Sequence, residues 1–187
     1  MIKSLILSSL IIVQSAFAKT SFGPCPQVQL FGNLDPAQYA GDWYEIYRDK
    51  DTTFEAGTDC CRVKYTKISQ NQLSVYNRAT YSDGRINDIN GRATCNGSRC
   101  KVKFDWYIPT GPYNVVDTDY TSYAIVYSCT NFIFGLFKSE NLWILSRQTT
   151  LATEDDRKTT ITNRISSYNV ATDLYKPTQG GSCSYGF

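Results

Sequence analysis

Gly41-Asp42-Trp43-Tyr44-Glu45-Ile46, Thr118-Asp119-Tyr120-Thr121-Ser122-Tyr123 and Trp143-Ile144-Leu145-Ser146-Arg147 are three short segments, far apart in the chain, on which the reading of the fold turns. Outward from them the hydrophobic period is mostly two. Leu73, Val75, Asn77, Ala79 and Tyr81 alternate with Ser74, Tyr76, Arg78 and Thr80, and Val102, Phe104 and Trp106 alternate with Lys101, Lys103 and Asp105. This is the pattern of half-buried antiparallel strands. Turn residues separate the runs at Gln70-Asn71, Ser82-Asp83-Gly84, Cys95-Asn96-Gly97-Ser98 and Pro109-Thr110-Gly111-Pro112, each supplying positive φ or a preset proline. Main strands are expected near 41–48, 60–67, 72–81, 85–94, 100–107, 113–117, 121–129 and 141–147. Thr153-Glu154-Asp155-Asp156, with Ile161 and Ile165 four apart, predicts one amphipathic helix over 153–167, and a short strand is expected near 170–175.

In order and spacing the three segments resemble the motifs of the lipocalins. The resemblance implies an eight-stranded antiparallel up-and-down barrel, closed at one end and open at the other, with the helix packed on its wall. It makes Trp43 and Arg147 the barrel floor. Arginine can stack on an indole face and still hydrogen-bond nearby carbonyls, so such a pair closes a barrel without stranding a charge.

Gly23-Pro24-Cys25-Pro26, Thr52-Thr53-Phe54-Glu55, Lys103-Phe104-Asp105-Trp106, Pro109 to Tyr113 and Tyr127-Ser128-Cys129 narrow the resemblance to the apolipoprotein D-like branch of that family. It implies a carrier of small hydrophobic molecules (a lipid, steroid, retinoid or pigment), with no cofactor and no metal. It also implies a disulfide from Cys25 to Cys129, and another from Cys60 or Cys61 to Cys183. Cys95 and Cys100 lie outside that pattern but flank a tight hairpin, where opposed Cβ atoms come within bridging reach. Strand parity chooses within the vicinal pair: Cys60 points outward to pair with Cys183, and Cys61 points inward as a free thiol.

The same parity predicts the ligand-facing residues. Arg62 and Lys64 face water, so Val63 and Tyr65 face in. The next strand presents Val75, Asn77, Ala79 and Tyr81, and Phe104, Trp106 and Trp143 complete the wall. Tyr65, Asn77 and Trp143 coincide with pocket positions of the apolipoprotein D-like pattern, whereas Tyr81 stands where that pattern carries an arginine. A cation that could meet a carboxylate is thereby lost, so a neutral apolar ligand is expected over a fatty-acid anion, unless another arginine compensates.

Composition narrows the function further. Formal charge is +2, from 19 basic and 17 acidic residues with no basic block, which argues against nucleic acid. There are no histidines, which removes Ser-His-Asp and Cys-His chemistry and His-ligated zinc or haem. A thiol-dependent lipid isomerase using Cys61 is the alternative, since one member of the family works that way. No evident adjacent cation depresses the thiol pKa. Lys3, the apolar stretch Leu5 to Val13 and Ala16-Phe17-Ala18 read as a signal peptide over residues 1–18, followed by one domain over 19–187 and a secreted, extracellular location. Asn96-Gly97-Ser98 is a glycosylation sequon. Phe132, Ile133, Phe134, Leu136 and Phe137 form an apolar run expected at the open mouth, where it would act as a lid or dock on a membrane or lipoprotein surface.

Overall fold

The computed structural model describes residues 20–150 and 173–186, with Asn163 and Ser166 between them. The strands in chain order are β1 (Thr20–Phe22), β2 (Gly41–Asp49), β3 (Thr58–Lys67), β4 (Gln72–Tyr81), β5 (Ile86–Asn96), β6 (Arg99–Lys103), β7 (Gly111–Thr118), β8 (Tyr123–Phe132), β9 (Phe137–Ser146) and β10 (Leu174–Tyr175). From β2 to β9 each strand pairs antiparallel with the next, and β9 pairs again with β2. The result is a closed eight-stranded up-and-down barrel. Closure removes the free edges that would otherwise template aggregation. The expected helix and the expected signal peptide lie outside the described residues, apart from Asn163 and Ser166, which are helical and exposed.

In an up-and-down barrel, alternate connections share one end. The β2–β3, β4–β5, β6–β7 and β8–β9 connections therefore ring the mouth, and the other three lie at the floor. A single-turn helix, α1 (Pro36–Tyr39), precedes β2 at the floor; Asp35 caps it by accepting from the Ala37 amide, with proline at its first position.

The wall separates two apolar layers. Inside lie Trp43, Val63, Tyr65, Leu73, Val75, Val102, Val115, Val126 and Leu145; outside lie Ile46, Tyr47, Val116, Ile125, Leu142 and Ile144, against Val28, Leu30 and Leu174. The register of β2 on β9 shifts between Glu45 and Tyr47. Glu45 is opposite Leu145 and Arg48 opposite Trp143, both on the inner side, whereas Tyr47 is opposite Ile144 on the outer. One extra residue thus turns Arg48 into the barrel.

Three disulfides join Cys25 to Cys129, Cys60 to Cys183 and Cys95 to Cys100, and Cys61 is free and buried. The vicinal pair is split by a second register shift, between Asp59 and Arg62, with Cys60 in the left-handed region at φ 55°. Cys60 turns out to the C-terminal segment while Cys61 stays inside. Gln179 secures that segment by donating to the carbonyls of Glu45 and Cys61 at 2.8 and 2.9 Å.

Candidate functional site

The floor is built on Trp43, which is fully buried. The Arg147 guanidinium stacks 3.7 Å from the indole ring centre. It donates from Nε to the Tyr120 carbonyl, from Nη1 to Asp42 and from Nη2 to Gln38, at 2.8 to 2.9 Å. Trp43 Nε1 in turn donates to the Tyr39 carbonyl at 2.9 Å. Gly41 completes the fit: its φ is +102°, and a Cβ there would stand 3.0 Å from Arg147 Nη1.

Above the floor, the Tyr39 ring packs at a tilt against Trp43 and against Tyr65, with ring centres 5.3 Å apart in each case. The Tyr113 hydroxyl lies 2.8 Å from that of Tyr39 and 2.7 Å from that of Tyr65. Burial pushes all three phenols up, so they stay protonated. Val63, Val75 and Ala79 are buried in the wall, and Asn77 and Tyr81 are half-buried on the same side of β4. The Asn77 amide makes no hydrogen bond among the described residues, and the Arg85 guanidinium lies 4.7 Å over the Tyr81 ring. Phe104 packs against the inner layer. It can do so because Gly91 has no side chain: a Cβ there would meet Phe104 Cδ1 at 2.6 Å.

Trp106 does not join this wall. It is 86% exposed, a correction to the expectation that it continues the alternation of Val102 and Phe104. β6 ends at Lys103, whose ammonium donates to the carbonyls of Trp106 and Ile108, and the chain turns before parity can carry Trp106 inside.

Nearer the mouth lies a polar cluster built around residues that sequence reasoning left out. Arg48 Nη1 donates to Glu45 Oε1 at 2.8 Å and reaches Cys61 Sγ at 3.5 Å, and Nη2 donates to the carbonyls of Glu55 and Thr58 at 2.7 and 2.9 Å. Trp143 Nε1 donates to Glu55 Oε2 at 2.9 Å. Burial, and then the neighbouring Glu55 charge, push Glu45 up to about 8 against the pull of Arg48. Burial raises Glu55 as well. Burial thus favours the protonated form of both carboxyls, and the Arg48 guanidinium opposes it. Both terminal nitrogens of Arg48 are spent on protein groups, which leaves the guanidinium poorly placed to take a ligand carboxylate. Cys61 does have a cation beside it, contrary to the sequence reading. Its thiol is nevertheless pushed up, first by burial and then by Glu45 and Glu55, with Arg48 opposing.

The rim is apolar. Phe54, Trp106, Tyr107, Ile133, Phe134 and Leu136 are exposed, and Phe132 is half-buried. Phe137 meets Phe22 edge-on at 5.8 Å. Ile133 and Phe134 both hold positive φ, 45° and 56°, a costly conformation for a β-branched or bulky residue.

A lipocalin-like domain model matches residues 34–178. The chain belongs to the lipocalin family. Among curated relatives, this lipocalin is 38% identical to apolipoprotein D of Macaca fascicularis over 136 residues, covering 71% of this chain and 70% of that one. With apolipoprotein D of Cavia porcellus it shares 35% over 166 residues, covering 87% and 85%. Among solved structures, lobster apocrustacyanin A1 superposes with a TM-score of 0.74 at 25% identity, over 89% of this lipocalin and 94% of the other chain. Insecticyanin of Manduca sexta gives 0.73 over 89% and 92%, at 22% identity, a likeness of fold.

Proposed function

We propose that this lipocalin is an exported, non-enzymatic carrier that takes one small neutral apolar molecule into the barrel. The observation that carries the reading is the state of Arg48: the guanidinium turned into the barrel is consumed by Glu45, Glu55, Thr58 and Cys61, so a fatty-acid anion would lose its hydration for little return. Val63, Val75, Ala79, Phe104 and Trp143 supply apolar contact, and Asn77 and Tyr65 supply orientation. The raised Cys61 thiol speaks against the isomerase alternative, which needs a thiolate. Three disulfides suit an oxidising, extracellular setting, and the exposed rim suits a membrane or lipoprotein surface. Asn96 is exposed, whereas the Ser98 hydroxyl of its sequon is buried and donates to the Phe31 carbonyl, so a glycan there would be added before the N-terminal segment seats on the floor.

The test is fluorescence titration with a retinoid and a neutral steroid. Binding should quench or shift Trp143 emission, and Trp143→Ala should weaken it by about 1–3 kcal/mol. Cys61→Ser should leave affinity intact. Unchanged affinity in Trp143→Ala would remove that residue from the site.

A further inference from the structure

Three hydroxyls joined in a chain carry three protons and need only two. Tyr113 stands between Tyr39 and Tyr65, linked to each. Each link uses one proton, whichever partner donates, so one O–H is always left over. Among the described residues none of the three phenols makes another hydrogen bond, and Tyr39 and Tyr65 are respectively 0% and 4% exposed. A buried donor without an acceptor is costly, and proteins rarely tolerate one without a use.

Geometry says where the spare proton can be met. Below the chain the Tyr39 ring lies on Trp43, and the floor polar groups are already paired to one another. The chain crosses the interior from α1 to β7 and β3, directly above that floor. A group entering from the mouth would reach it last.

From this we infer that Tyr39, Tyr113 and Tyr65 form an oxygen-recognition site at the bottom of the barrel, which takes the carbonyl or hydroxyl oxygen of a neutral apolar ligand bound oxygen-end first. The inference rests on the carrier reading and adds to it the chemical class of the ligand and its polarity of entry. A carbonyl accepts the spare proton. A hydroxyl does so too, and can donate back to an unused phenol lone pair. A bare hydrocarbon satisfies nothing.

The experiment compares methyl nonyl ketone with undecane, which match in length and differ in one oxygen. Binding of both is measured to the wild type and to the triple variant Tyr39→Phe/Tyr65→Phe/Tyr113→Phe. Removing every member of a hydrogen-bonded group while keeping its shape is close to neutral for folding. The triple variant should lose about tenfold in affinity for the ketone and keep its affinity for undecane within about twofold. In wild type the infrared carbonyl stretch of the bound ketone should fall below its value in hexane, and in the variant it should return. Equal retention of both affinities, or a bound carbonyl stretch unshifted in wild type, would overturn the inference and leave the carrier standing. Wild type that binds neither probe would overturn both.

Discussion

At the closed end Arg147 lies over Trp43 with Nε and both terminal nitrogens bonded to carbonyls, whereas at the open end Phe134 stands wholly exposed on a left-handed backbone. The floor is assembled from segments far apart in sequence: α1 and its neighbours, the β7–β8 turn and the residue after β9. The mouth combines turns that bond within themselves, such as Asp83 to Arg85 and Lys103 to Ile108, with long-range ties such as Trp143 to Glu55 and the Gly23 amide to the Leu136 carbonyl. The floor buries its large apolar side chain under a fully bonded guanidinium; the mouth, though tied at several points, leaves apolar side chains exposed to meet something else. Between them the wall changes character, from phenols above the floor to acids near the rim.

Near the mouth the start of β3 is also held covalently. Cys183→Ser removes the bridge that anchors the C-terminal segment to the start of β3, a loop for which the chain-entropy model gives roughly 4.7 kcal/mol; chemical denaturation under non-reducing conditions measures it. The floor should show a loss of similar order without any covalent change: Trp43→Ala is expected to cost about 3–5 kcal/mol. A loss below about 1 kcal/mol there would break the comparison.

The acid cluster makes a pH prediction. Glu45 binds its proton up to about 8 in the folded protein and only to about 4.5 when unfolded. Between those values the folded state holds more protons, so this group makes stability fall as pH rises. Glu45→Gln should flatten the fall and raise Tm at pH above 8 relative to wild type; an unchanged fall in the variant would mean that Glu45 is ionised in the native state. The smallest effect on stability belongs to the rim. Replacing Phe132, Phe134 and Phe137 together by Ser should change stability by under about 1 kcal/mol while reducing flotation with phosphatidylcholine vesicles. Identical flotation of variant and wild type would sink docking.

Much of this was legible in the residues. Period-two alternation gave the strands, and the parity of β3, counted from Arg62 and Lys64, separated Cys60 from Cys61 because the register shift lies before Arg62. Bulges leave no mark in composition, and so Arg48 escaped notice: in an unbroken β2, Tyr47 would face in with Trp43 and Glu45. Glu45 itself was readable from the parity of Trp43, but a glutamate in a strand reads as solvent-facing. Trp106 was misplaced because alternation does not show where a strand stops, and a lysine capping a turn through backbone carbonyls has no sequence signature. Tyr113 lies opposite Cys100, so the Cys95–Cys100 hairpin carried a signal for it. Tyr39, in a one-turn helix ahead of the barrel, carried none.

An interior that prefers a neutral cargo is tested by competition between methyl palmitate and palmitate for the wild-type protein at pH 7.5, read by Trp143 fluorescence and by native mass spectrometry of the complex. The ester should bind one to one and displace the acid. Palmitate binding more tightly than its ester would show that a cation in the barrel is free to receive it, and that the interior has no preference for a neutral cargo.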